Sequence, residues 1–410
     1  MKQRICLISP GHVASNPRLV KEANALDDAG YRVRVVAGDY MAEIKSLDQT
    51  IFAAVSWSWV TVGLGTKFIY SLRKIRQKLA QIIAAIGWMP NLSIAMWAHH
   101  PLSKKLGRVA ATEAADLYIA HCLAALPAAA WAAERHNAKL GFDAEDFHIG
   151  ELANIPENQT EIRIRDYIEK TLLPRCCHLT AASPKIAEAY HQRYGIKMQP
   201  ILNVFSLAES SNNFVKPISK PDTEPSLYWF SQTIGAGRGI EAIVRAIAQM
   251  QTKAKLYLRG IPAVGYQKQL QTLARELKVS EQVHFLPSAS PGEMVKLAAE
   301  HDLGLSFELT QPFNRAICLT NKIFTYLLAG LPVLMSRTPA QEDLAQRLGE
   351  AAVLIDINNP DDIANTLDCW LSQPHKLASA RVCAWKLAQE VYNWDVEKKS
   401  FLAVVERALR

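Results

Sequence analysis

A chain of 410 residues that is 49% apolar can bury two ordinary cores, and 21% charged residues with 20 Pro and 19 Gly exclude collagen-like, low-complexity and coiled-coil classes. The formal net charge of +7 favours an acidic partner such as phosphate groups, anionic lipid headgroups or nucleic acid. Seven cysteines, odd in number and without Cys-x-x-Cys spacing, read as reduced buried thiols.

In chain order, Arg4 to Ser9 (RICLIS) is a buried-strand pattern, too short for a signal peptide, followed by a loop, a helix from Arg18 to Ala29 ending at Gly30, and a strand from Tyr31 to Ala37. That is a βαβ unit of a parallel sheet. The pattern resumes with strands at 115–120 and 138–143 around an Ala-rich helix from Leu126 to Arg135. A helix over 161–176, a strand at 179–182, a helix over 184–194 and a strand near 199–204 complete a first domain, residues 1–205. Residues 206–226, rich in Ser, Pro and Asn, read as a linker. Strands at 227–230, 255–260, 283–286, 303–307, 332–335 and 352–355, separated by helical patterns, predict a second doubly wound domain over 227–385. No apolar run approaches the roughly 20 residues of a membrane-spanning helix, so a cytoplasmic location is expected.

Between Asp48 and Glu113 the chain has no acidic residue and eight basic ones, so about 50–110 forms a basic insert. Within it Phe68, Leu72, Ile75, Leu79, Ile82 and Ile86 recur at spacings of three and four, with Trp57, Trp59 and Trp88 nearby. This 67–86 helix either packs its stripe on the first domain or lies on an anionic membrane surface. Strands lack interleaved aromatic and basic residues, so nucleic acid is not the expected partner.

Two doubly wound domains in tandem imply a cleft where the carboxyl ends of both sheets meet. Phe230 to Glu241 (FSQTIGAGRGIE) joins a strand to a helix through Gly235, Gly237 and Gly239, with Arg238 among them. Exposed amides, a helix N-terminus and a guanidinium make a phosphate cradle, though a glycine-rich turn is also an ordinary turn. It lacks the Lys-Ser/Thr ending of a hydrolase P-loop. Phe142 to Glu151 (FDAEDFHIGE) places Asp143, Glu145, Asp146, His148 and Glu151 at a strand end, where carboxylates could bind sugar hydroxyls or take a proton. The alternative is a solvated acidic turn.

Across nearly its full length the chain resembles the GT-B glycosyltransferases, in particular the large retaining group called family 4. The resemblance rests on Gly11 to Gly30 (GHVASNPRLVKEANALDDAG), on Phe230 to Glu241, and on Asn314 to Val333 (NRAICLTNKIFTYLLAGLPV) with its Gly-x-Pro ending. It implies an α/β chain of two Rossmann-like domains facing across a cleft, with residues 386–410 forming a helix that crosses back to the first. It implies transfer of a sugar from a nucleotide-diphosphate sugar to a glycan, lipid-linked or small-molecule acceptor, without metal or other cofactor and with retention. Gly11, His12, Gly237, Arg238, Glu308, Asn321, Lys322 and Thr325 would contact the donor, and Glu145 and Asp146 would act at the acceptor. His121 aligns with a family histidine, or is a satisfied buried one. Thr325 and Ile317 stand where the family carries two glutamates, one of which holds the ribose; Glu308 is the candidate to replace it. The competing readings are a catalytically silent sugar-binding or scaffold protein and a nucleotide-sugar epimerase that needs no acceptor.

Overall fold

A computed structural model describes residues 2–87, 91–209 and 224–410. The chain divides into two compact units, Met1–Ile201 with Lys398–Arg410, and Leu202–Glu397. The expected linker lies mostly outside the described residues, as does Trp88; Leu207–Glu209 form a short 3-10 turn, and the next strand begins at Ser226.

The first unit is built on strands β1 (Arg4–Ser9), β2 (Arg32–Asp39), β3 (Ser58–Gly63), β4 (Leu117–His121), β5 (Lys139–Ala144), β6 (His178–Ala181) and β7 (Gln199–Pro200), in the order β3-β2-β1-β4-β5-β6-β7. The second is built on β8 (Ser226–Ile234), β9 (Lys255–Pro262), β10 (Val283–Leu286), β11 (Leu303–Ser306), β12 (Val333–Ser336) and β13 (Ala352–Ile355), in the order β10-β9-β8-β11-β12-β13. Among the described residues every strand pairing is parallel. Both sheets are Rossmann-like and covered by helices, so their central strands are apolar on both faces: Ile5 to Ile8 and Leu117 to Ala120 are fully buried. Trp229, Leu256, Leu258, Leu305 and Leu334 anchor the second core.

Two expectations need correction. Residues 58–63 are a strand, β3, where the sequence reading saw only a basic insert; it extends the first sheet beyond β2. The strand expected near 199–204 stops after Pro200, because only two residues pair with β6.

Elsewhere local chemistry sets the boundaries. The helix Pro17–Asp28 starts at an Asn16 cap whose side chain accepts from the Leu19 N–H, with Pro17 in its first turn. The helix Pro184–Tyr194 runs from a Ser183 cap to Gly195, whose φ of 69° closes it in the left-handed conformation. Helix Trp394–Leu409 ends the chain, and within the first unit the Phe401 ring meets His178 edge-on at 5.9 Å. Among the described residues no helix is long and apolar enough to cross a membrane.

Candidate active site

Each sheet changes its direction of winding once. The chain leaves β1 for β2 and β3, then returns on the other side of β1 as β4; it leaves β8 for β9 and β10, then returns beside β8 as β11. The loops at the carboxyl ends of such strand pairs diverge and leave a crevice, which is where ligands of open parallel sheets bind. The candidate residues sort onto these two places, one in each unit.

In the first unit the crevice holds a buried charge cluster. Arg18, in the first turn of helix Pro17–Asp28, donates from Nε and Nη2 to the two carboxylate oxygens of Asp143 at 2.6 and 2.7 Å, and from Nη1 to the Ile201 carbonyl at 2.6 Å. Its Nε also lies 3.3 Å from Glu22, one turn along the same helix. Thr180 on β6 donates to Asp143 at 2.6 Å. His121, at the end of β4, sits 3.4 Å from Glu22 through Nε2 and 3.2 Å from Glu145 through Nδ1. Asn16 donates to the same Glu145 oxygen at 2.6 Å. Glu145, partly open to solvent, is therefore the outer end of a chain of polar groups that runs inward to Glu22.

Burial and charge act together on these groups. Burial opposes the charge of Arg18, but Asp143 and Glu22 outweigh it and hold the guanidinium above its usual range. Burial would raise Asp143, yet Arg18 overrides it and keeps the carboxylate ionised, well below the usual range. Glu22 is pushed up to about 7 by burial and by Asp143, with Arg18 and His121 opposing. His121 is raised despite its burial, because Glu22 and Glu145 favour the imidazolium. Burial thus favours the neutral acid at Glu22, while the carboxylates around His121 favour its imidazolium. Glu22, His121 and Asp143 each offer a ligand atom within 4.8 Å of the others, a spacing that could hold a cation. Arg18 already supplies that charge from within.

Cys122, next to His121, has φ of 64°, an uncommon backbone for a non-glycine residue and of the kind concentrated at functional sites. The acidic segment is not a solvated turn: Asp143 is fully buried, and His148 lies inside. His148 accepts from the Leu123 N–H at 3.1 Å and donates to Tyr190 at 2.9 Å, a structural role. Asp146 lies half-buried beside Glu145 in sequence, its carbonyl accepting from Tyr190. Gly11 tethers β1 to β2 by accepting from the Gly38 N–H at 3.0 Å.

His12, expected at the donor, lies buried in the first unit. Its Nε2 accepts from the Tyr40 and Met41 N–H groups at 2.9 and 2.8 Å, and its Nδ1 donates to Asp48 at 2.6 Å. Both nitrogens are committed inside the unit. His12 shapes the loop after β1.

In the second unit the Gly235–Gly239 loop joins β8 to helix Ile240–Ile247. Gly237 and Gly239 have φ of 70° and 71°, and a Cβ on Gly239 would lie 2.2 Å from Ile357 Cδ1, so the turn needs both its glycines. Arg315, on the short helix Phe313–Ile317, donates to the Gly237 carbonyl at 2.5 Å and pins the loop. Arg238 is half-buried within the loop. Lys322, in the first turn of helix Asn321–Leu328, is buried, with Nζ 3.3 Å from Glu308 and 5.6 Å from the Trp229 ring centroid. Glu308 is fixed by exchange with Ser336, donating to its hydroxyl at 2.8 Å and accepting from it at 2.7 Å, while Gln341 donates to the same hydroxyl. A cavity of about 230 Å³ opens on Glu308, Thr310, Gln311, Arg337, Asp356 and Asn358.

Thr325 is also expected at the donor. It is fully buried and its hydroxyl donates to the Asn321 carbonyl at 3.1 Å; Ile317 is buried as well. Glu308, Lys322, Gly237 and Arg238 stand at the carboxyl edge of the second sheet, with Asn321 beginning the helix that carries Lys322. Sequence reasoning missed Glu22, Arg315 and Arg337. Glu22 carried a signal, being a charge on the apolar face of its helix beside Leu19, Ala23 and Leu26. Arg315 and Arg337 carried none, since only folding brings them to the glycine loop and the cavity.

Residues 211–382 match the family described as Glycosyl transferases group 1. Over 172 residues, 42% of this chain and 40% of that protein's length, the sequence is 22% identical to an MMP alpha-(1->4)-mannosyltransferase of Mycolicibacterium hassiacum. Anabaena Alr3699/HepE, solved in complex with UDP and glucose, superposes with a TM-score of 0.71 at 18% identity over 98% of this chain and 99% of its own. A sucrose-phosphate synthase from Thermosynechococcus elongatus superposes with a TM-score of 0.68 at 16% identity over 99% of both chains. In fold, the chain is similar over its whole length to the GT-B glycosyltransferases, and its second Rossmann-like domain carries the glycosyl transferases group 1 match.

Proposed function

We propose that this protein moves a sugar from a nucleoside-diphosphate sugar onto a glycan, lipid-linked or small-molecule acceptor, with retention at the anomeric carbon and without a metal. The observation that carries this reading is the cation-lined carboxyl edge of the second sheet: the Gly235–Gly239 loop with Arg238, pinned by Arg315, beside the buried Lys322–Glu308 pair. It lies within the stretch that matches the family. The helix N-terminus after Gly239 and the Arg238 guanidinium suit a diphosphate. As the sugar–oxygen bond to the diphosphate breaks, Arg238 and Lys322 stabilise the charge that grows on the leaving group. The acceptor hydroxyl bonds to the anomeric carbon, and its proton passes to a departing phosphate oxygen on the same face, so no protein nucleophile is needed. Glu145 and Asp146 hold hydroxyls in this reading. Glu308, in place of the glutamate absent at Thr325, faces the cavity where a ribose would sit.

One observation favours a second reading, a sugar-nucleotide-binding protein without turnover: both family glutamate positions are buried and non-acidic. Two measurements separate the possibilities. Thermal stabilisation by UDP, GDP, ADP and their sugars should appear for one nucleotide series and disappear in Arg238→Ala, since a ligand that binds the folded state raises its melting temperature by mass action. Release of free nucleotide from the stabilising sugar nucleotide then reports transfer or hydrolysis. Stabilisation without release supports the silent reading, and no stabilisation by any series overturns the donor site.

A further inference from the structure

The helix Lys67–Ala85 is turned inside out relative to an ordinary surface helix. Its inward face is small and polar: Ala80, Ala84 and Gln77 are buried, and Gln77 and Gln81 donate to the carbonyls of Ala98 and His99 at 3.1 to 3.2 Å. Its outward face is Phe68, Leu72, Ile75, Leu79, Ile82 and, just past its end, Ile86, each between 51% and 75% exposed. An apolar stripe of this length is normally the face a helix buries. Here the body is packed by amides and alanines and the stripe is left for something else.

The charges around the stripe say what covers it. Lys67 and Lys78 are exposed along one flank and Arg76 rises on the other, with Arg76 and Lys104 both stacked on the Trp97 ring, at 5.0 and 5.4 Å. Residues 49–112 contain no carboxylate. Glu161, on the neighbouring helix Gln159–Leu172, is taken up by His99 and Arg165 at 2.7 and 3.0 Å. A second copy of the same face would set like charges against each other, whereas lipid phosphates complement them. No helix among the described residues spans a bilayer, so a helix of this kind lies in the interface with its apolar side chains among the acyl chains and its cations at the headgroups.

We propose that the Lys67–Ala85 face docks this protein on an anionic lipid bilayer. The proposal stands apart from the transferase reading, and its test uses no sugar nucleotide. The full chain is floated with vesicles of phosphatidylcholine alone and with vesicles containing about one-third phosphatidylglycerol. The chain floats with the anionic vesicles, and Ile75→Glu/Leu79→Glu reduces that by about tenfold or more, because two side chains that would insert now carry charge. Lys67→Glu/Lys78→Glu removes the preference for the anionic vesicles, and raised salt weakens it. All four positions are exposed, so both variants should keep the wild-type melting temperature, which is measured alongside. Failure of the wild type to float overturns the proposal, as does undiminished flotation of the Ile75→Glu/Leu79→Glu variant. Equal flotation on both vesicle types overturns the anionic assignment. A wild-type dimer by light scattering that becomes a monomer in the glutamate variant, without flotation, assigns the face to a second copy instead.

Discussion

Removing Arg18 tests whether the cluster in the first unit is held by its guanidinium. In Arg18→Met the apolar stem of the side chain is kept, but Asp143 loses two charge-assisted hydrogen bonds at 2.6 and 2.7 Å, Glu22 loses its nearest cation, and the Ile201 carbonyl loses its donor. Breaking one side of a buried ion pair costs about 3–5 kcal/mol, because the partner charge is left in a medium that solvates it poorly. For a unit of this size each kcal/mol moves the melting temperature by about 2–4 °C, so a fall of roughly 10 °C is expected near pH 7.5. The pH dependence carries the sign. In the wild type Asp143 lies below its ordinary range, so its stabilisation is present above the unfolded carboxylate pKa and is lost only in acid. Without Arg18, only Thr180 and His121 still oppose burial, which pushes Asp143 up, so the variant takes up a proton at higher pH and the gap narrows as pH falls from 7.5 to 5. Calorimetric melting of the full chain at both values reads this directly. A variant melting within about 2 °C of wild type at pH 7.5, or a gap unchanged by pH, would refute the ion-pair account.

Glu22→Gln probes the other half of the cluster. The folded-state pKa of Glu22 is raised to about 7, so its protonated form is stabilising at low pH, and that stability is lost as pH rises from the unfolded value toward 7. The loss amounts to at most about 3–4 kcal/mol, from the size of the shift. The glutamine variant should lack that slope and be at least as stable as wild type at pH 8, as measured by melting between pH 5 and 8; a parallel pH profile counts against a raised Glu22. In the second unit, Lys322→Met leaves Glu308 buried and unpaired and should cost about 3 kcal/mol. Lys322→Met/Glu308→Gln should recover most of that stability without recovering nucleotide affinity, read by melting and by UDP titration; recovery of both would make the pair purely structural.

The sheets were legible because their strands are buried on both faces, so runs such as RICLIS and ADLYIA stand out without alternation. β3 was not, because SWVTVG is an edge strand with its outer residues exposed, set in a segment whose conspicuous feature is charge. The glycine loop and Lys322 could be read from local composition. The cluster in the first unit could not: Arg18 and Asp143 meet across 125 positions, and only the topology that places β5 beyond β4 makes them neighbours. His12 and Thr325 are placed by motif, and motif position does not reveal their inner partners, Asp48 and the Asn321 carbonyl.

The 67–86 stretch shows where periodicity stops. Spacings of three and four identify a helix and the angular position of its stripe, and the structure has that helix over Lys67–Ala85. They do not say which face turns inward, because that depends on what the neighbouring elements offer. Here the neighbour offers the unpaired carbonyls at the end of helix Leu92–His99, and such groups need donors. Gln77 and Gln81 are the donors on this helix, and they lie opposite the stripe. Satisfying those carbonyls turns the glutamines inward and the isoleucines outward, so Gln77→Leu should loosen the helix even though it adds apolar area to the buried side. Hydrogen exchange of the Lys67–Ala85 amides measures that loosening, and faster exchange in Gln77→Leu with no change in Ile75→Glu is the pattern that an amide-anchored, outward-facing helix requires.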